Sequence, residues 1–193
     1  TAQNTLGVQG IHKVPVDFVN EQLHSVFSDF EIDALKTGML PDADIMRAVA
    51  AELRKHPDIP VVVDPVMIAK GGAALMEDEA SATLVKEILP LATVLTPNLP
   101  EAEVITGMTI ATVDDLLTAA KKIQDMGVKN VVIKGGHRLE TSDAEDILLT
   151  EDGEVVTLSA ERVDTVRTHG TGCTYSACIT AELAKGRSVK DAV

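Results

Sequence analysis

The segment HGTGCTYSA, residues 169–177, contains the residues whose types and spacing point most directly to chemistry. Gly170, Thr171 and Gly172 predict a tight turn that opens a helix, with Thr171 supplying a hydroxyl and the helix cap. Free backbone amides and the helix dipole make such a terminus a binding site for anions. Cys173, in the first turn, could then accept a proton while the amides stabilise developing negative charge. The segment fits a purely structural strand-to-helix turn equally well, so these residues alone favour neither interpretation.

Polar side chains also follow three other predicted strands. Asp64 ends the apolar run IPVVVD, Asn98 and Glu101 follow ATVLT, and Lys134 ends VVIK. In open α/β sheets, ligands bind at the carboxyl ends of the strands. We therefore expect these side chains and the glycine turn to converge at one edge of the sheet.

Each of these polar residues also has a structural alternative. Asp64 would bind Mg²⁺ or position a phosphoryl group, but taken alone it more readily caps a turn in its Asp-Pro loop. Glu101 lies in the first turn of a predicted helix, where the helix dipole stabilises a carboxylate with or without a metal. Lys134 is harder to explain structurally, because the two glycines that follow it allow a ligand to approach the backbone closely.

Strands and helices alternate along the chain, and the apolar strand runs show no period of two. Such runs are typical of a parallel sheet covered on both faces. The pattern predicts an α/β fold with a mostly parallel central sheet and one layered domain. We predict helices at 15–29, 42–55, 78–89, 100–106, 112–126 and 172–185, strands at 33–40, 59–67, 92–96 and 130–136, and a hairpin at 146–158 that turns at Asp152-Gly153.

Composition excludes several classes of partner. The 193 residues include 17 Lys and Arg against 30 Asp and Glu, and a net charge of −13 repels the phosphate backbone of nucleic acids. No apolar run of 18 residues and no signal-peptide pattern is present, so we expect a cytoplasmic protein without a membrane partner. Cys173 and Cys178 lie five apart in one predicted helix and point to different sides, which argues against a disulfide.

Familiar phosphate-binding motifs are absent from the sequence. It contains neither G-x-x-x-x-G-K-[ST] nor G-x-G-x-x-G, which argues against a P-loop kinase and a dinucleotide-binding fold. The chain starts at TAQNT without a methionine and stops at KDAV, where a new helix begins. We therefore expect that the domain extends beyond both ends of the sequence.

Six segments together, in this order and at these intervals, resemble hydroxymethylpyrimidine/phosphomethylpyrimidine kinases, the thiamin-biosynthesis members of the ribokinase-like superfamily. The resemblance covers essentially the whole chain, and it implies that residues 1–193 form a single ribokinase-like kinase domain, truncated at both ends. Two of the motifs, NLPE and GTGC, taken singly also suit pyridoxal kinases of the same superfamily. The six segments are TAQNTLGVQG, KTGML, VVVDPVM, TPNLPEAE, VVIKGGH and THGTGCTYSA.

The resemblance implies ATP-dependent phosphorylation of a hydroxymethyl group on an aminopyrimidine, and then of its monophosphate. Carried over by position, Cys173 would be the general base that takes the proton from the substrate hydroxyl. The backbone amides from Gly170 through Thr171 and Gly172 to Cys173 would form the anion hole for the transferred phosphoryl group. The interpretation of the glycine turn as an anion site agrees with this role, because phosphoryl transfer needs positioning and charge stabilisation more than covalent chemistry.

The same resemblance assigns the cofactor residues. Asp64 and Glu101 would organise Mg²⁺ and the triphosphate, with Asn98 beside them. Lys134 and Thr171 would contact the phosphates of ATP.

Substrate and assembly follow from the resemblance in the same way. Gln3 and Met39 match positions that face the pyrimidine, and family members are commonly homodimers. A pyridoxal kinase of the same fold is the alternative enzyme, although Gln3 and Met39 favour the pyrimidine. A binder of nucleotide or pyrimidine without catalysis is the alternative from another class, and the presence of Asp64, Glu101, Lys134 and Cys173 argues against it.

Overall fold

The computed structural model describes residues 1–5, 7–67, 78–135, 143–163, 165 and 168–193. Its central sheet has six strands in the order β3-β4-β5-β6-β7-β8. Neighbours from β3 to β6 are parallel, whereas β6–β7 and β7–β8 are antiparallel, which confirms the mostly parallel sheet. The strands of this sheet are β3 (Leu35–Thr37), β4 (Val61–Val63), β5 (Val94–Leu95), β6 (Asn130–Ile133), β7 (Asp143–Leu149) and β8 (Val155–Glu161).

Helices cover both faces of this sheet, as predicted. On one face the alternate side chains of the strands, such as Val61 and Val63, join the larger core with the first five helices. On the other face Val62 packs with Ile179 and Leu183 under the sixth helix. The helices are α1 (Val16–Phe27), α2 (Ala43–Leu53), α3 (Asp78–Thr83), α4 (Leu99–Thr106), α5 (Val113–Gln124), α6 (Thr171–Ala184) and α7 (Val189–Ala192).

Several elements are shorter than predicted. The strand predicted at 59–67 pairs only over β4, yet Asp64 and Met67 beyond it are still buried. An apolar run indicates which residues are buried and not which residues pair with a neighbouring strand, so it overestimates the length of the strand. The helix predicted at 78–89 is α-helical only over α3 and continues as a π turn at Leu84–Ile88 and a 3₁₀ turn at Leu89–Leu91. Pro90 lies in that last turn and has no N–H to continue the helix.

Two short N-terminal strands form a hairpin that the sequence pattern did not predict. Strands β1 (Ala2–Asn4) and β2 (Gly7–Gly10) pair antiparallel in a separate two-stranded sheet. Most of their residues are exposed, so they lack the apolar alternation that identifies a strand in a sequence. Over the part of the chain described here, no helix is both long and apolar enough to cross a membrane.

Candidate active site

Three polar side chains of the site lie on the α6 face at the carboxyl edge of the parallel strands. Side chains alternate along a strand, so the residue two positions after a buried one shares its face. Val62, Val94, Val132 and Leu148 all pack in the cluster under α6. Asp64 lies two positions after Val62, and Lys134 lies two positions after Val132. On the antiparallel β7, Asp146 lies two positions before Leu148. The alternation therefore directs these three polar side chains toward α6.

A buried ion pair joins two of the parallel strands at this edge. Lys134 Nζ lies 3.4 Å from Asp64 Oδ1, and the two side chains are only 17% and 4% exposed. Ser176 of α6 is buried, and its Oγ lies 3.4 Å from Asp64 Oδ2 and 3.1 Å from the carbonyl oxygen of Cys173. One carboxylate thus connects β4, the end of β6 and the first turns of α6.

The glycine turn opens α6 as predicted, but its cap differs. Gly170 precedes the first helical residue with φ at 79°, in the left-handed region that favours glycine. No side chain among the described residues caps α6, so the expectation that Thr171 supplies the cap is wrong. Thr171 is instead the first helical residue, and its hydroxyl donates to the carbonyl of Thr168 at 2.9 Å.

The start of α6 lies directly against the Lys134 ammonium. A Cβ added at Gly172 would lie 3.2 Å from Lys134 Nζ, so a residue without a side chain allows this approach. Within the described ranges, the amide N–H groups of Gly172 and Cys173 have no hydrogen-bond acceptor. An ammonium and free helix amides side by side make a local positive site in a strongly acidic chain.

Asn98 and Glu101 form a capping box at the start of α4. The Glu101 N–H donates to Asn98 Oδ1, and the Asn98 N–H donates to Glu101 Oε2, both at 2.9 Å. Glu101 therefore does stabilise the first turn of α4, but it also lies beside the other polar residues of the site. Asn98 pairs with Lys134 as a parallel bridge, and the Lys134 N–H donates to the carbonyl of Pro97.

The electrostatics of Glu101 reflect its closeness to the ion pair. Glu101 is only 3% exposed, and burial raises the pKa of its carboxyl above the ordinary value of 4.5. The Asn98 N–H and the charge of Lys134 oppose that rise in pKa, whereas the negative charge of Asp64 adds to it. A cation placed between the two carboxylates would relieve both the burial cost and their mutual repulsion.

The acids at this edge fit one mode of magnesium binding. Among the residues described, no three His, Cys, Asp or Glu side chains come close enough together to hold a metal ion by themselves. Mg²⁺, however, is usually held by one or two carboxylates together with waters and phosphate oxygens. Asp64 and Glu101 fit that shared mode and do not form a self-sufficient metal centre.

Cys173 lies at the exposed side of this arrangement. Cys173 and Cys178 are both exposed and do not form the disulfide that their spacing of five residues argued against. Cys173 directly follows Gly172, which lies against Lys134. It lies three positions before Ser176, whose hydroxyl contacts Asp64. The thiol therefore belongs to the same helix turn that carries the free amides.

The two predicted substrate residues are placed differently. Met39 is half-buried and lies just after β3, at the carboxyl edge of the sheet. At this edge the Asp64 N–H donates to the carbonyl of Thr37, the last residue of β3, at 3.1 Å. Gln3 lies in the exposed β1–β2 hairpin, and its Oε1 accepts a hydrogen bond from the hydroxyl of Thr1. This hydrogen bond and the pairing of Gln3 with Val8 both lie within the N-terminal hairpin. Gly136, at the end of the strand predicted over 130–136, lies outside the described residues.

Three residues of this region, Ser176, Asp146 and Tyr175, were not singled out from the sequence. Ser176 carries a usable signal, because it lies one helical turn after Cys173. Asp146 follows the same logic as Asp64, as an acid on the buried face of an apolar strand. Its Oδ1 accepts the Gly135 N–H at 2.9 Å, and the nearby hydroxyl of Tyr175 acts to lower the pKa of its carboxyl. The sequence pattern predicted only a hairpin over 146–158, and a hairpin by itself indicates no functional residue.

Comparison with known proteins agrees with the resemblance read from the motifs. The family model described as phosphomethylpyrimidine kinase matches residues 1–193. The hydroxymethylpyrimidine/phosphomethylpyrimidine kinase of Haemophilus influenzae is 51% identical over 197 residues, covering 100% of this chain and 72% of the relative. The enzyme of that name from Bacillus subtilis is 46% identical over 193 residues, covering 100% of this chain and 70% of the relative.

Solved structures extend the comparison to the fold. Phosphomethylpyrimidine kinase from Clostridium difficile is 37% identical with a TM-score of 0.86, over 99% of this chain and 77% of that one. An ADP complex of Bacillus subtilis pyridoxal kinase is 41% identical with a TM-score of 0.86, over 95% and 67%. Pyridoxal kinase from Staphylococcus aureus, in complex with AMP-PCP and pyridoxal, is 34% identical with a TM-score of 0.81, over 93% and 64%. The chain therefore belongs to the phosphomethylpyrimidine kinase family, phosphotransferases of thiamine biosynthesis with a ribokinase-like fold.

Proposed function

We propose that this kinase transfers the γ-phosphoryl group of ATP to 4-amino-5-hydroxymethyl-2-methylpyrimidine and then to the resulting monophosphate. The observation that carries the proposal is the Lys134 ammonium, which pairs with the carboxylate of Asp64 at 3.4 Å and lies against Gly172 at the start of α6. The names of the relatives, at about half identity, include both reactions and support this choice of substrate.

Lys134 and α6 would together hold the phosphates. Phosphoryl transfer depends on positioning and on stabilising charge over the transferred group. The ammonium would contact the ATP phosphates, while the amides of Gly172 and Cys173, with that of Gly170, would form the anion hole. These donors are fixed before substrate arrives, so they need little reorganisation when charge develops. The Thr171 N–H donates to the carbonyl of Thr168 at 3.4 Å and would join the anion hole only by giving up that acceptor.

Cys173 would act as the general base. In its thiolate form it would take the proton of the substrate hydroxyl, whose oxygen then forms a bond to the γ-phosphorus. The bond from the γ-phosphorus to the bridging oxygen breaks, and the electron pair leaves with ADP. The exposed position of Cys173 in the turn that carries the free amides supports this role.

ATP as donor is supported by the neighbours solved with ADP and with AMP-PCP. Asp64 and Glu101 would hold Mg²⁺ together with the phosphates. When bound, the ion offsets the negative charge of the triphosphate and of the two buried acids. Asn98 would keep the Glu101 backbone and carboxylate in place through the capping box.

Gln3 and Met39 would contact the pyrimidine ring. Pyridoxal is the second candidate substrate, because a pyridoxal kinase is among the neighbours, at 41% identity over 95% of the chain. The curated relatives at 51% and 46% identity carry the pyrimidine name, which favours the pyrimidine.

The choice of substrate can be tested with ³¹P NMR. The protein is incubated with ATP, Mg²⁺ and either the hydroxymethylpyrimidine or pyridoxal at equal concentration. We expect a pyrimidine monophosphate signal that appears first and is replaced by a diphosphate, at a higher rate than pyridoxal phosphate forms. Faster phosphorylation of pyridoxal, or a pyrimidine product that stops at the monophosphate, would contradict the proposal.

A further inference from the structure

Asp146 is an acid on a strand face that is otherwise apolar. Its neighbours Ile147 and Leu149 pack in the larger core, whereas Leu148 packs in the cluster under α6. Asp146 therefore faces α6, and its carboxylate is half-buried. A carboxylate in such a place is costly unless hydrogen bonds replace the lost water.

One of these hydrogen bonds replaces a missing rung of the sheet. The β6–β7 ladder runs from Val131↔Leu149 to Ile133↔Ile147 and ends there. The next free donor on the β6 side, the Gly135 N–H, donates to Asp146 Oδ1 at 2.9 Å. A Cβ at Gly135 would overlap the carbonyl oxygen of Glu145, so only glycine allows this close approach. The side chain of Asp146 thus fixes the backbone immediately after Lys134.

The second contact reaches α6. The Tyr175 hydroxyl lies near the Asp146 carboxylate, and the half-buried ring of Tyr175 packs against the cluster under α6. Burial is the largest influence on Asp146 and raises the pKa of its carboxyl, while the Gly135 N–H, the charge of Lys134 and the Tyr175 hydroxyl oppose that rise. Burial and the nearby carboxylate also raise the pKa of Tyr175, which keeps its hydroxyl a donor at neutral pH.

We propose that Asp146 is a positioning residue for phosphoryl transfer, which holds the Lys134–Gly135 backbone and the first turns of α6 in one geometry. Lys134 reaches the phosphates from β6, and the anion-hole amides reach them from α6. Asp146 and Tyr175 connect these two elements on the side away from Asp64 and Ser176. The proposal rests on the proposed function, because it assigns the site in which those donors act.

Phosphate binding depends on the separation of the two elements. A displacement of about 1 Å in a positioned group can cost about 100-fold in rate. Loosening the connection should weaken nucleotide binding as well as turnover, because Lys134 contacts ATP in the ground state. The pyrimidine, which would be held by Gln3 and Met39, should bind as before. If Asp146 only stabilised the fold, its replacement would instead lower the melting temperature and the number of active molecules. The KM values for ATP and for the pyrimidine would then stay unchanged.

The test compares Asp146→Ala, Asp146→Asn and Tyr175→Phe with Glu161→Gln, an exposed acid on β8. We expect Asp146→Ala to raise the KM for ATP and the calorimetric Kd for ADP–Mg²⁺ by at least about fivefold and to lower kcat by roughly 10- to 100-fold. Asp146→Asn keeps an acceptor for Gly135 and should recover part of this loss. Tyr175→Phe should shift the same constants in the same direction by a smaller factor.

Several results would overturn the inference. Asp146→Ala and Tyr175→Phe with kcat and both nucleotide constants within twofold of wild type would reduce Asp146 to a structural contact. A lower melting temperature with unchanged KM values would do the same. If Asp146→Ala does not fold, Tyr175→Phe decides, since it removes one hydroxyl and keeps the ring. Failure of the wild type to phosphorylate the pyrimidine would instead reject the proposed function, while the ADP titration would still test Asp146.

Discussion

The two faces of the central sheet have different tasks. The face toward α2, α4 and α5 is a continuous apolar core, with residues such as Leu95 and Ile123 fully buried. The face toward α6 has a smaller apolar cluster, and at the carboxyl edge it gives way to the Asp64–Lys134 pair and Ser176. The first face stabilises the fold, whereas the second accepts buried charge in exchange for a binding site. Mutations on the two faces should therefore separate stability from activity.

Loss of Lys134 should produce the largest effect. Lys134→Met removes the proposed phosphate ligand and leaves Asp64 buried without its partner. We expect kcat/KM for ATP to fall by roughly 100- to 1000-fold and the free energy of unfolding to fall by about 3 kcal/mol. Steady-state kinetics and urea titration measure the two effects.

A second variant distinguishes charge from chemistry at the same position. Asp64→Asn combined with Lys134→Met removes both charges of the ion pair, so most of the stability lost in Lys134→Met should return. Activity should stay low, because neither the ammonium nor the acid is restored. A double variant that regains turnover along with stability would show that the pair is structural only.

Matched isoleucines test the two faces directly. Ile123 of α5 and Ile179 of α6 are both fully buried, but on opposite faces of the sheet. Replacing either with alanine should lower the free energy of unfolding by about 2–5 kcal/mol. Only Ile179→Ala should also raise the KM for ATP, because it loosens the helix that carries the anion hole. Equal KM values in the two folded variants would mean that the position of α6 does not matter to the nucleotide.

The smallest expected effect is the pH dependence of stability contributed by Glu101. Its pKa is raised in the folded protein, so between 4.5 and that higher value the native state binds more protons than the unfolded state. Its contribution to stability is therefore fully present below pH 4.5 and is lost as the pH rises through the folded pKa. Glu101→Gln keeps an acceptor for the Asn98 N–H and should reduce this decline.

Urea titrations of wild type and Glu101→Gln across this pH range provide the measurement. Parallel curves for the two proteins would show that Glu101 is not the group that titrates. A wild-type stability that rises with pH, relative to the variant, would contradict the sign derived from burial.

Much of the fold was accessible from the sequence because burial leaves a clear pattern. The apolar runs located the parallel strands, and Asp152-Gly153 located the hairpin, whose strands end and begin on either side of it. The β1–β2 hairpin was missed because its residues are exposed and carry no apolar alternation. The π and 3₁₀ turns after α3 were missed because they keep the helical spacing of buried residues.

The site was predictable to the extent that it follows strand ends. Asp64, Asn98, Glu101 and Lys134 do converge with the start of α6, because parallel strands bring their carboxyl ends to one edge. Ser176 and Asp146 were not identified, since their importance depends on which side chain lies opposite in space. The cap of α6 was predicted wrongly because the helix begins at Thr171, one residue earlier than predicted. Gly170, which has no side chain, therefore occupies the N-cap position.

The most direct test of the central claim compares two cysteines on one helix. Cys173 and Cys178 are both exposed on α6, but only Cys173 lies in the turn with the free amides. ATP turnover with the hydroxymethylpyrimidine is measured for Cys173→Ala and Cys178→Ala under identical conditions. The account predicts a fall of roughly 100-fold or more in kcat for Cys173→Ala and wild-type turnover for Cys178→Ala. Equal turnover in the two variants would contradict it and leave Cys173 without a catalytic role.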